Sequence, residues 1–139
     1  MARSSRFEGF KETSRSLNEM SKAAARGVGK RSLGIPAEML ARDVRRNAAV
    51  VTGDLRESVD VFPSKSKRGQ PHLEVRAEDI ASVQDEFGNS DQTAKPFFRP
   101  AIDEGQERRL DAFADALMIE TQDSVIKAGQ RAAAKAAKG

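Results

Sequence analysis

One histidine, no cysteine and a wide scatter of acids and bases limit the chemistry open to this chain. A hydrolytic triad or a zinc site would need His72 together with partners of the right kind. His72 stands beside Pro71, on the polar side of an alternating run, which marks a surface histidine. Without cysteine there are no disulfides, thiolate metal sites or cysteine nucleophiles. Asp85 and Glu86 are adjacent, so on a helix they point about 100° apart and cannot work as a paired acid and base. Glu78, Asp79, Asp85 and Glu86 lack the spacing of a calcium loop and read as a solvated acidic surface. Gly27-Val28-Gly29-Lys30-Arg31-Ser32 has the look of a phosphate loop. That loop needs a glycine separated by four residues from its Gly-Lys pair, and Ser or Thr directly after the pair. Ala24 and Arg31 occupy those places, and the segment follows a helix, not a strand. A hinge fits better. The expectation is a chain that is not an enzyme and uses no cofactor or metal.

The elements that position these residues follow from hydrophobic spacing. At 139 residues the chain is expected to be one domain with a modest core, built from Leu, Val, Ile, Ala and Met, since its only aromatics are seven phenylalanines. Phe7, Phe10, Leu17, Met20, Ala24 and Val28 share a helical face, which predicts a helix over about 5–26, broken by a flexible joint at 27–34. A second helix is expected from Pro36, a natural first-turn residue, to about Asn47, with Met39, Leu40, Val44 and Ala48 inward and Arg42, Arg45 and Arg46 outward. Thr52-Gly53-Asp54 is turn chemistry. Period-two alternation over 55–61 and 72–78 predicts a hairpin. Its connection, Pro63 to Pro71, carries Lys65, Lys67 and Arg68 and is too long for a tight turn, so a projecting basic loop is expected.

Ile80, Val83 and Phe87 return to helical spacing, which predicts one or two turns over 78–86, and 89–92 reads as loop. A final helix is expected around Pro100, with Ile102, Leu110, Phe113, Leu117, Thr121, Val125 and Ala128 as its buried stripe. Its charges are polarised: residues 101–123 hold seven acids and two bases, and 124–139 hold four bases and no acid. That order complements the helix dipole. The Ala- and Lys-rich end, 129–139, has little to bury and is expected to be ordered only against a partner. The predicted class is α+β, with long N- and C-terminal helices packed on a small antiparallel sheet.

Formal charge is uneven, +6 over residues 1–48, −2 over 49–100 and −1 over 101–139. A basic first third is able to meet phosphates or an acidic partner, through Arg42, Arg45 and Arg46 among others, or to be a solvated helix face. No zinc finger or RNA-binding motif accompanies it. The start of the chain lacks the apolar run of a secretion signal, and no segment approaches the roughly 20 apolar residues that span a bilayer. Synthesis in a cytoplasm and no membrane partner are expected.

The strongest local signal is Ala94-Lys95-Pro96-Phe97-Phe98-Arg99-Pro100-Ala101. Pro96 holds Lys95 extended, and Pro100 suits the first turn of a helix. Together with Phe87, the segment reads as a rigid aromatic strip, with Phe97 and Phe98 serving either as interface anchors or as core. Arg99 offers a guanidinium held between two prolines.

Three segments in order resemble the neck, or tail-completion, proteins of long-tailed bacteriophages. Val51-Thr52-Gly53-Asp54-Leu55-Arg56-Glu57-Ser58-Val59 is similar to that family's TGxLRxSI, Asp85-Glu86-Phe87-Gly88 to its EFG(T), and 94–101 to its ARPFLRPA. Asn89 stands where the family has Thr. The resemblance covers about 36–125, with 1–35 as an N-terminal helix and hinge, 36–128 as the family core and 129–139 as a tail. It implies a ring-forming virion subunit, a homo-oligomer of about six copies by family analogy. The ring would join the tail tube and the end of the tape-measure protein to the head-side connector and tail terminator. DNA would pass through its lumen without sequence-specific binding. Interface residues implied are Phe87, Pro96, Phe97, Phe98, Arg99, Pro100, Lys65, Lys67 and Arg68. The alternatives are a tail terminator or head-closure (stopper) protein within the same particle, and, in another class, a small basic nucleic-acid-binding protein.

Overall fold

The computed structural model describes residues 2–51, 53–66 and 68–139, and for residues 2–8 the backbone alone. Thr52, Lys67 and the side chain of Phe7 therefore lie outside the described residues. Among the described residues six helices and two strands follow in the order α1 (Ala2–Glu19), α2 (Lys22–Asn47), α3 (Asp54–Glu57), β1 (Val59–Pro63), β2 (Leu73–Ala77), α4 (Ala81–Phe87), α5 (Phe98–Asp103) and α6 (Gln106–Lys138). This is the α+β class read from the sequence, with a two-stranded antiparallel sheet.

Helix α2 is the hub. It packs on α6, on both strands and on α5, while α1 packs chiefly on α6. The core gathers where these meet. Ala41, Val44 and Ala48 of α2 are buried with Leu55, Val59, Phe97 and Ala101, and Val61, Val75 and Ala77 pack against them. The strand register explains the sheet's contribution. Val59 pairs with Ala77 and Val61 with Val75, so these side chains share the face turned to the core. The opposite face pairs Asp60 with Arg76 and Phe62 with Glu74. There the Arg76 guanidinium lies 4.2 Å from the centre of the Phe62 ring, a cation–π contact.

Several sequence expectations are corrected. The first helix does not run to residue 26. It ends at Glu19, and Ser21 caps a new helix, its hydroxyl oxygen accepting from the Ala24 amide at 3.2 Å. The expected joint at 27–34 is helical throughout, and Pro36 lies inside α2, not at its start. Gly29 has a packing reason to be there: a Cβ at this position would sit 2.6 Å from Pro71 Cγ. The loop before β2 leans on α2 at that point, so it does not simply project. Pro36 removes one internal hydrogen bond, and α2 continues through it because the surrounding packing outweighs that loss.

The first strand begins at Val59, not Leu55, because 54–57 form one helical turn behind Gly53, whose φ is 90°. Leu55 and Val59 are four apart, a spacing that suits a helical turn as well as alternation. The closing helix is also two helices, since Gly105, with φ of 76°, separates α5 from α6. Of the expected stripe, Thr121 is buried and Phe113 and Leu117 are half-buried, but Ile102, Leu110, Val125 and Ala128 are exposed. Helix α6 is about 50 Å long at 1.5 Å per residue. It outruns the elements that cover it, and every residue from Val125 onward is exposed.

Candidate interaction surface

Helix α5 begins without a capping side chain of its own, because Phe97 holds the N-cap position. Its free amides are met from outside. Glu86 of α4 accepts from the amides of Phe97 and Phe98 through Oε2 and from the amide of Arg99 through Oε1, all at 2.9 Å. Burial alone would raise this carboxyl's pKa. The three amide bonds and the charge of Arg99 outweigh that burial and hold it below its ordinary value. The other end of α5 is held by Arg109 of α6, which donates to the carbonyls of Ala101 and Glu104 at 2.9 Å each and of Ile102 at 2.6 Å. A six-residue helix thus has both ends satisfied by charged side chains from its neighbours.

The loop between α4 and α5 is closed by the same short motif. The Lys95 amide donates to the Asp85 carbonyl at 2.7 Å, and Gln92 Nε2 donates to the Asp85 carboxylate at 2.9 Å. Gly88 turns with φ of 72°, and a Cβ there would lie 2.7 Å from the Ala94 amide nitrogen. Spacing alone places Glu86 on a solvated acidic surface. It is instead the anchor of the Pro96–Pro100 strip. The missing signal was a helix start with no Ser, Thr, Asp or Asn to cap it, which requires an acceptor from elsewhere.

The strip's aromatic residues divide. Phe97 is 2% exposed and belongs to the core. Phe98 is half-buried, edge-on to Phe97 with ring centres 6.0 Å apart. Pro96 and Arg99 are exposed and Pro100 is half-buried. Phe87, by contrast, is 73% exposed, and with Ile80 and Val83, also exposed, it gives α4 an unpartnered apolar row. Between α4 and α5 this row opens into a shallow groove of about 390 Å³, walled by Val83, Phe87, Phe98 and Ile102, with Asp103 and Arg99 at its edge.

The predicted basic positions do not form one surface. Lys65, Arg68 and Arg42 are exposed. Arg45 does not face out: its Nε donates to the Val59 carbonyl at 2.9 Å, tying α2 to β1. Arg46 is exposed, as expected, and pairs at 3.0 Å with the buried Asp43, which also receives Arg108 at 2.8 Å and Arg109 at 3.6 Å. His72 is exposed just ahead of β2, 3.7 Å from Glu74. Among the described residues no three His, Cys, Asp or Glu side chains are grouped to hold a metal, and no helix is long and apolar enough to cross a membrane. Compared with protein-family models, with curated proteins and with solved structures, the chain shows no match.

Proposed function

We propose that this chain is a non-enzymatic assembly subunit that forms a homo-oligomeric ring at the neck of a long-tailed bacteriophage, completing the tail where it meets the head-side connector. The observation that carries the reading is the apolar row Ile80–Val83–Phe87, exposed on a short helix tied to α5 by a carboxylate clamp. Contiguous exposed apolar surface beside a polar rim marks a site for another protein. A ring contact is heterologous, so one face of a subunit meets a different face of the next. The sequence motifs support the same reading, since Asp85-Glu86-Phe87-Gly88 and 94–101 are the two halves of the clamp that presents the row. The tie of Arg45 to the Val59 carbonyl weighs against a dedicated phosphate-binding surface on α2.

An electron-microscopy reconstruction of particles from a phage that carries this sequence tests the reading. Density for the chain as a ring between head and tail is expected. Its absence from the particle, or its presence elsewhere in it, would overturn the reading. In the same particles Phe87→Asp is expected to block incorporation while leaving the free subunit's helical circular dichroism intact.

A further inference from the structure

We infer that the end of α6 in one copy, residues 125–138, seats in the α4–α5 groove of the next copy. The inference rests on the ring-subunit reading and names the two faces that reading requires. The occupant is argued from charge and from shape. Residues 78–104, which build the groove and its surroundings, hold seven acids and two bases, and five of the acids remain after Glu86 is engaged in the clamp and Asp85 with Gln92. Residues 124–139 hold four bases and no acid, and from Val125 onward all are exposed. Lys127, Arg131, Lys135 and Lys138 recur at spacings of four, four and three, which places them in one row along the helix.

Beside that row runs a second one, of Val125, Ala128, Ala132 and Ala136, with small side chains. A helix face of small residues allows close approach to a groove walled by large ones, here Val83, Phe87, Phe98 and Ile102. The apolar row also separates this end from a phosphate binder, which needs charge and not a greasy flank. A helix laid in an apolar groove is an established recognition mode, with charges at the rim setting register. Arg99 is the one base lining the groove among the described residues, and Asp103 lines its edge near the other end of α5. One such contact is small against the about 800 Å² per partner of a standard interface. In a closed ring every copy both gives and receives it, so the contacts reinforce one another.

The chain's lack of cysteine makes the test direct. Full-length Val83→Cys and Ala132→Cys proteins, both substituted at exposed positions, are mixed and oxidised. Cross-linking between the two variants is expected, and the double variant should give a ladder of species beyond the dimer. In sedimentation, Arg131→Glu with Lys135→Glu should weaken self-association about tenfold, as expected for losing two exposed pairs. Adding Asp103→Lys to the same chain should restore most of it. Oligomers that form without the 83–132 cross-link would overturn this inference and leave the ring reading standing. A chain monomeric at its highest soluble concentration would sink both. Ala132→Cys linking only to itself would replace the groove with a symmetric helix pair. Duplex DNA binding lost on the same charge reversals, with a salt slope near four, would make nucleic acid the occupant.

Discussion

Phe97 and Phe87 are ten residues apart, share one side-chain type, and sit on either side of one carboxylate clamp. Phe97 belongs to the buried cluster that includes Val44, Ala48 and Val59 and is out of water. Phe87 is largely in it. Glu86, next to Phe87 in sequence, accepts from the amide of Phe97 itself. One motif therefore joins a residue that stabilises the subunit to a residue left free to meet something else. Sequence composition could not separate these two phenylalanines, because the difference lies in which side of the clamp each one falls.

That contrast can be broken most sharply by Phe97→Ala. Truncating a buried phenylalanine should lower unfolding free energy by about 3–5 kcal/mol, read by denaturant or thermal melting. Phe87→Ala should shift the same melt by less than about 0.5 kcal/mol and instead weaken self-association. Equal melting losses for the two would place Phe87 in the core and remove the comparison.

Glu86→Gln tests the clamp. The amide keeps an acceptor oxygen but not the charge, and the expected loss is about 1–3 kcal/mol at neutral pH. The acid dependence has a defined sign. A carboxyl whose pKa is lower in the folded state adds stability above its unfolded value, near 4.5, and that addition is lost as pH falls through the folded value. The wild-type melting temperature should therefore drop more steeply below about pH 4.5 than that of Glu86→Gln. Parallel curves would show that the carboxylate is not what holds α5.

The two glycines Gly29 and Gly34 sharpen a smaller comparison within α2. Gly29→Ala places a methyl 2.6 Å from Pro71 and should destabilise by about 1–2 kcal/mol, after the helix-propensity gain is set against the clash. Gly34→Ala meets nothing within 4 Å and should stabilise by about 0.5–1 kcal/mol. Opposite signs in thermal melts are the expected outcome.

These cases also show what was legible in advance. That a hairpin exists, the helical turn before Phe87 and the inward positions Val44 and Ala48 follow from spacing alone, whereas the first strand is displaced from the expected 55–61 to 59–63 because 54–57 form a helical turn. The glycines at 27–34 misled, because glycine marks both chain breaks and close approaches, and only the partner, here Pro71, tells them apart. Ser21, the real break, is a common residue whose capping role depends on its backbone angles. The surface itself was half legible. The strip at 94–101 stood out through its prolines, but the partner that fixes it is eleven residues earlier, and a long-range hydrogen bond leaves no periodic trace. The arginines of α2 look alike in sequence. Arg42 is solvated, Arg45 holds a strand and Arg46 meets a buried acid, and those differences arise only when α6 and β1 are in place.

Helix α4 has no extensive contact with any other element, and its chief long-range ties are the three amide bonds of Glu86. Free energies of local opening follow such sparse attachment, so this helix should swing away well before the rest of the molecule unravels. Its amides should exchange with deuterium faster than those of α2. The row of Ile80, Val83 and Phe87 therefore rides on a latch, able to settle by small rotations against a neighbour whose shape varies, while the bundle behind it stays rigid.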